Sequence, residues 1–419
     1  MKRLVPRVLR ENLVFRRVWS GQTISLFGDQ ISLIAIPLTA VLVLDANAKQ
    51  MGYLIAAELV PNLFFALHAG AWVDRRGNRR RTMIFTDLVR AGLLATIPLA
   101  YAFGELTIQQ LYVVAFLVGT MSVFFFVSYS SLFVALVERE DYVEGNSVLA
   151  GSRAFSFVAG PSIGGILVQL LKAPYALLVD SISFLFSAGF LASIDPVEPQ
   201  VEEAEKGHVV AGVRYIVTSP IMRSSLLATA TINLFNFVFH ALFILYAVRS
   251  LHVRPATLGI VLGAGAIGGL IGSVVTSRLG RRIGIGPTYI LGCIVFPVPL
   301  VLVPLAGGPY WLILAMLFLA EFGAGLGVMI LDISAASIFA ALVPHRLRSR
   351  VSGAYMVVNM GVRPVGSLIG GFLGTAIGLQ TTLWIGVVGA AAGFLWLLPS
   401  PIPKMRELPE LADYPTTSQ

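Results

Sequence analysis

Long, mostly apolar runs follow one another along nearly the whole of this 419-residue chain. A helix needs about 20 consecutive, mostly apolar residues to cross the hydrocarbon core of a bilayer. Such runs predict twelve transmembrane helices. Their approximate bounds are 18–44, 51–73, 82–103, 110–137, 146–171, 174–195, 222–248, 256–277, 286–306, 310–340, 350–376 and 380–400. The chain is therefore predicted to be an all-α membrane protein.

Composition excludes several other classes of protein. Hydrophobic residues make up 56% of the chain and charged residues only 12%, against roughly 25% charged in soluble domains, so a soluble enzyme would lack its charged shell. The net charge of +8 comes from basic residues spread over short loops, whereas a nucleic-acid-binding protein gathers them on one face. The single cysteine, Cys293, excludes an internal disulfide and offers no zinc or redox motif.

The basic residues also predict the orientation, because cytoplasmic loops retain lysine and arginine. With both termini in the cytoplasm, 23 of the 30 basic residues are cytoplasmic. Only Lys49, Lys172, Arg249 and Arg254 face the other side. The first apolar run is too long for a signal-peptide core, so we expect it to be retained. These features predict a multi-pass protein of the inner membrane.

The longest polar segment between spans lies at the middle of the chain. Residues 196–205 are acidic and contain proline, and the apolar residues of 209–217 then recur at helical spacing, which predicts a linker followed by an amphipathic helix. The predicted division is a bundle of six helices over 1–195, a linker over 196–221, a second such bundle over 222–400 and a cytoplasmic tail over 401–419.

The two predicted halves share a sequence pattern. Gly70 and the basic loop after it are matched 203 residues later by Ser273 and a second basic loop. The same offset places Pro161 of the fifth span on Pro364 of the eleventh. A duplicated unit is the simplest interpretation, and it predicts two pseudo-symmetric bundles.

The loop after the second span resembles the signature that major facilitator transporters carry between helices two and three. Glycines permit a tight turn, and we expect the basic residues to face lipid phosphate. Asn78 stands where the signature has a further base. With the pair Asp87 and Arg90 in the third span, the resemblance assigns a gating motif to Gly70, Asp74, Arg75, Gly77, Arg79, Arg80, Asp87 and Arg90. It also implies the major facilitator fold, a small-molecule substrate and membrane lipid as surroundings.

The fifth span is similar to the antiporter motif of drug-exporting members of that superfamily. The matching residues are Gly160, Pro161, Gly164 and Gly165. Proline bends a helix, and glycines allow a neighbouring helix to approach closely. Short matches at 25–30, 87–90 and 144–146 resemble the branch of macrolide-efflux and enterobactin-exporter proteins, with protons as the coupling ion.

Charged residues inside the predicted spans are the candidates for chemistry. An ionised residue at the bilayer centre costs roughly 2.5–3.5 kcal/mol on insertion scales. Counting along the spans places Asp29 and Glu321 near the midplane, where a carboxylate could take up and release protons. Glu58 and Asp180 fall nearer the outer face. The candidates for proton coupling or substrate binding are Asp29, Glu58, Glu321, Asp332 and Arg363.

Two further patterns concern helix faces and the substrate cavity. Asp87 and Arg90 lie three residues apart, which predicts an ion pair near the cytoplasmic gate. Aromatic and amide side chains suit an amphipathic ligand, and equally they fill a helix bundle. The candidates for lining a cavity are Tyr129, Asn233, Asn236, Phe237 and His240.

No nucleotide-binding loop or hydrolase motif occurs, since none of the five lysines follows a glycine. We therefore expect neither an enzyme nor a cofactor or metal, and we expect a monomer. The favoured hypothesis is proton-coupled efflux of a hydrophobic or amphipathic small molecule. A siderophore or metabolite transporter on the same fold remains open, as does a non-transporting membrane protein, for which the polar segments offer no sizeable output domain.

The predicted orientation can be tested with single cysteines in a chain that lacks Cys293. A cysteine at Lys49 should react with a membrane-impermeant maleimide added to intact cells. A cysteine at Asp74 should react only after the cells are permeabilised. Labelling of both positions from the same side would contradict the orientation.

Overall fold

The computed structural model of the chain describes residues 6–195 and 209–408, and every regular element in those ranges is helical. A helix satisfies its own backbone hydrogen bonds, which hydrocarbon cannot do for it. The helices, α1 to α15 in order, are Arg7–Glu11, Leu13–Leu42, Ala48–Arg76, Arg79–Ala102, Ile108–Leu136, Tyr142–Leu171, Ala173–Ala192, Val209–Thr218, Pro220–Arg249, Pro255–Ile283, Ile285–Val295, Leu302–Leu305, Tyr310–Leu342, Arg348–Ala376 and Leu379–Ala392.

Eleven helical segments of the described residues are long and apolar enough to cross a membrane. They coincide with eleven of the twelve predicted spans. The remaining predicted span, 51–73, lies within α3, which is helical over 29 residues but is not among those eleven segments.

The ninth predicted span, 286–306, is not one continuous helix, which corrects the sequence prediction. Helix α11 ends at Val295, a 3-10 turn follows over Val298–Val301, and α12 covers only Leu302–Leu305. Pro297 and Pro299 lie at the break. Proline has no N–H to donate and its ring clashes with the preceding turn, so two prolines two residues apart disfavour a regular α-helix here more strongly than a single proline does.

The described residues form two compact units. The first unit consists of the described residues up to 195 together with Ala247–Gly263, and the second consists of the remainder. The predicted domain boundaries stay predictions, because 196–208 and the tail beyond 408 lie outside the described residues. Helix α8 is present where the amphipathic helix is expected, and Tyr215 in it donates a hydrogen bond to the Leu342 carbonyl at 2.7 Å.

Specific contacts explain why Ala247–Gly263 belongs to the first unit. Arg249 forms an ion pair with Asp45 in the loop after α2. The backbone N–H of Ala256 donates to the Gln169 side chain at 3.3 Å. A Cβ at Gly259 would overlap the Pro161 carbonyl of α6, so this position requires a glycine. The beginning of α10 is therefore held against the C-terminal half of α6.

In the second unit, glycines let α10 and α13 approach until their backbones touch. A Cβ at Gly268 would overlap the Phe322 carbonyl, and one at Gly325 would overlap the Gly265 carbonyl. Helices in lipid gain their association energy from such close packing, because hydrocarbon provides no hydrophobic drive between them.

We predict different effects on thermal stability for two alanine substitutions on α10. Gly268→Ala should lower the thermal midpoint in detergent by several degrees, since overpacking costs about 1–3 kcal/mol. Gly280→Ala is the control, because its Cβ meets no atom within 4 Å. That change should leave the midpoint unchanged or raise it, because alanine favours a helix over glycine. Equal effects of the two changes would contradict the packing.

Candidate functional site

A cluster of buried charged side chains lies inside the first unit. Helix α4 contributes Asp87 and Arg90, which form an ion pair whose side chains are 0% and 3% exposed. Their spacing of three residues places both on one face of the helix, as the sequence predicts. Asp29 of α2 and Asp180 of α7 both interact electrostatically with Arg90.

Two aromatic rings enclose the Arg90 guanidinium. Its central carbon lies 4.0 Å from the ring centroid of Phe184 and 4.5 Å from that of Phe125. A cation over an aromatic face is attracted by the ring quadrupole, and the attraction is stronger where water is absent. The Ser122 hydroxyl lies 3.4 Å from one nitrogen. The rings and Asp87 together hold this cation in one place.

Asp180 is held by hydroxyl groups in addition to the distant charge of Arg90. It accepts hydrogen bonds from Ser32 of α2 and from Ser183, the latter at 3.0 Å. A Cβ at Gly28 would overlap both Asp180 and Ser183, so a glycine is required for α2 to approach α7 here. Sequence reasoning missed this group of serines and Gly28, although Ser183 lies one helical turn from Asp180.

Asp29 and Glu58 are the more accessible members of this cluster. Both side chains are partly exposed, and Glu58 of α3 interacts electrostatically with Asp29. Asp180 also interacts electrostatically with Asp29, and the depths counted along the sequence for these acids stay predictions.

The loop between α3 and α4 has a different role from the expected one at Arg80. Gly77 ends α3 in the left-handed conformation, with φ of 64°. Arg80 donates hydrogen bonds of 2.9 Å to the carbonyls of Leu191 and Ala192, at the end of α7. It also pairs with Asp195 at 3.2 Å. The prediction that these bases face lipid phosphate is therefore wrong for Arg80, because the carboxyl end of a helix attracts a cation.

The other residues of this loop differ in their surroundings. Arg75 is exposed, whereas Arg79 is only 6% exposed. A Cβ at Gly70 would meet no atom within 4 Å, so this glycine is not required by packing. The side chain of Asp74 lies outside the described part of the structure.

The glycines of the fifth-span motif bring two segments close to α6. A Cβ at Gly164 would lie 3.1 Å from the Ile31 backbone, and one at Gly160 would crowd the Gln30 side chain; both neighbours belong to α2. On another side, Gly165 touches the beginning of α10 at Pro255 and Gly259. Pro161 lies between these contacts and is buried.

The second unit contains a cavity of about 180 Å³. Three of its lining residues are polar, namely Asn236 and His240 of α9 and Glu321 of α13. The others are small or apolar. They are Phe239, Gly265, Phe296, Leu300, Ala324, Gly325 and Val328.

Not all of the predicted cavity residues line this space. Asn233 donates to the Thr229 carbonyl of its own helix at 3.0 Å, which holds its amide against the backbone. Tyr129 belongs to the first unit, where it stacks on Phe125 with the ring centroids 6.3 Å apart. Phe237 contacts the His240 ring edge-on at 6.0 Å, beside the cavity.

Arg363 and Asp332 interact electrostatically with each other in the second unit. The guanidinium of Arg363 lies 5.4 Å from the Phe237 ring centroid, and it reaches the Asn359 amide oxygen at 3.4 Å. Asp332 is exposed. Neither residue lines the cavity that contains Glu321. Among the described residues, no group of three or more His, Cys, Asp or Glu side chains could hold a metal ion.

Curated proteins of similar sequence align with nearly the whole chain. The chain is 27% identical over 406 residues to the multidrug efflux pump Tap of Mycolicibacterium fortuitum, covering 93% of this chain and 95% of that protein. It is 26% identical over 376 residues to Tap of Mycobacterium tuberculosis, with 85% of each chain covered.

Solved structures share the fold at much lower identity. A bacterial homologue of the iron transporter ferroportin, in its inward-facing state, superposes with a TM-score of 0.76 at 15% identity. The match covers 92% of this chain and 98% of the homologue. The family model of the Major Facilitator Superfamily matches residues 18–363, and it matches a second time over 229–417. The fold, the loop after α3 and these matches together show that the chain belongs to the Major Facilitator Superfamily, whose members are transporters.

Proposed function

We propose that this transporter exports a hydrophobic or amphipathic small molecule and that protons entering the cell drive the export. The observation that carries the proposal is the charge balance of the first unit. Asp29, Glu58, Asp87 and Asp180 lie in one cluster, and Arg90 is the single cation that interacts with it among the described residues. Four ionised carboxylates and one arginine would leave three uncompensated negative charges.

Such an excess of buried charge is costly. Moving one carboxylate out of water costs several kcal/mol even after the protein relaxes. Protonation of a carboxylate removes that cost, so the excess negative charge favours proton uptake by the cluster. Asp29 and Glu58 are the partly exposed acids, and they are therefore the ones placed to exchange protons with water. Asp87 is paired with Arg90, and Asp180 accepts hydrogen bonds from Ser32 and Ser183.

The direction and the substrate class are supported by the relatives. Two relatives that align over most of their length are named multidrug efflux pumps. Multidrug binding needs an apolar or aromatic wall with few fixed polar groups, and the cavity of the second unit has this composition. In this proposal Asp29 and Glu321 are exposed to the two sides of the membrane in turn, by alternating access.

The proposal includes the topology and assembly that this mechanism requires. We assign α3 as a further membrane span, the second in chain order, which brings the total to twelve. We place both termini in the cytoplasm. The bundles at 1–195 and 222–400 act as the two moving halves, and the glycine motifs after α3 and in α6 act as gates. The working unit is a monomer in the inner membrane.

We predict that Asp29→Asn abolishes uphill transport. In inverted membrane vesicles energised with a pH gradient, the wild-type chain should accumulate a hydrophobic fluorescent dye. The variant should accumulate at least roughly tenfold less, because asparagine keeps the shape of the side chain but cannot carry a proton. Downhill movement of the dye should persist in the variant.

The matched control is Glu105→Gln, which removes a carboxylate from an exposed loop between α4 and α5. It should leave both movements unchanged. Full uphill transport by Asp29→Asn, with its pH dependence intact, would show that Asp29 is not the coupling group. Energy-dependent uptake of the dye into intact cells would contradict the export direction.

A further inference from the structure

Glu321 is a carboxylate without a counterion. Its side chain is partly exposed, and it has no hydrogen bond or ion pair to another side chain of the described residues. Its Oε2 lies beside Gly265, where a Cβ would come within 3.6 Å of it. The nearest face of α10 therefore offers no side chain at all to this carboxylate.

The other walls of the cavity offer no cation either. Helix α9 contributes His240 and Asn236, the segment after α11 contributes Phe296 and Leu300, and no lysine or arginine lines the cavity within the described ranges. His240 is the one other titratable group that lines the cavity with Glu321. The cavity thus has one acid, one imidazole, one amide and two aromatic rings.

We infer that this cavity binds a protonated amine, the cationic head of the exported compound. An ammonium group would form a charge-assisted hydrogen bond with Glu321. The aromatic rings of Phe239 and Phe296 in the cavity wall would add to the attraction for the same cation, and the Asn236 oxygen would accept a further N–H. The inference rests on the proposed export function for its physiological meaning, but the binding itself can be measured without transport.

The size of the cavity limits what enters it. An apolar cavity of about 150 Å³ is known to hold one benzene ring, and this cavity measures about 180 Å³. It therefore accommodates a benzylamine-sized group. A larger amphipathic compound would insert only its amine-bearing end here.

Proton and amine compete for the same carboxylate. When protonated Glu321 binds an ammonium, the O–H bond breaks, the carboxylate keeps the electron pair, and one proton is released to water. No oxidant or other reactant is needed. Binding is therefore expected to strengthen as the pH rises, for as long as the alkylammonium keeps its own charge.

The test is calorimetric titration of the purified chain in detergent with benzylamine and with benzyl alcohol, its neutral counterpart. The wild-type chain should bind benzylamine at least roughly tenfold more tightly, which corresponds to about 1.4 kcal/mol. Titrations in two buffers of different ionisation enthalpy should report proton release. Glu321→Gln should reduce the affinity for benzylamine to that for benzyl alcohol and abolish the proton release.

Two further variants keep the test decisive. Ala324→Leu fills the cavity while retaining Glu321, and it should weaken the binding of both compounds by roughly tenfold. Glu105→Gln, on its exposed loop, should change neither. Elution of each variant as a single symmetric peak, with a thermal midpoint near that of the wild-type chain, verifies folding.

Each failure points to a different proposal. If Glu321→Gln binds benzylamine as tightly as the wild-type chain, or if benzyl alcohol binds equally well to the wild-type chain, the amine site is wrong. Should the wild-type chain bind benzylamine through Glu321 but move no dye in vesicles, the export function is wrong and the amine site stands.

Discussion

Every peptide group that lies in hydrocarbon has to find its hydrogen-bond partner within the protein, because lipid tails offer none. This requirement makes every regular element of the described chain helical, and it also affects how the helices meet. Glycines at 268 and 325 bring backbones into contact, so dispersion between close-packed atoms replaces the hydrophobic drive that a soluble core would have. The charged groups are then confined to the few places where helices leave room for them.

The two units solve the problem of buried charge in different ways. The first encloses Arg90 between two aromatic rings and arranges several acids around it. In the second, Glu321 lines a cavity that contains no lysine or arginine within the described ranges. In the proposed mechanism, the acidic cluster exchanges protons and Glu321 binds the cationic end of the substrate. These two proposed roles belong to separate sets of helices, α2, α3, α4 and α7 for the cluster and α9, α10 and α13 for the cavity.

The helices could be predicted from sequence because an apolar run of about 20 residues reports its own partitioning into lipid. The pairing of Asp87 with Arg90 was equally local, since three residues make nearly one turn. The contact of Asp180 with Ser32 joins two helices 148 residues apart, and no periodicity encodes which helices are neighbours. The hydrogen-bond partners of Arg80 could not be predicted for the same reason. They lie at the end of α7, more than 100 residues away in the sequence.

The prolines after α11 affect more than the length of that helix. Pro297 and Pro299 cannot donate the hydrogen bonds that the Cys293 and Val295 carbonyls would accept in a regular helix. Phe296 and Leu300, at this same break, form one wall of the cavity. Glycines at 323 and 327 let this interrupted segment pack directly against the continuous helix α13, so the cavity wall at the break is held by close packing rather than by a full set of helical hydrogen bonds.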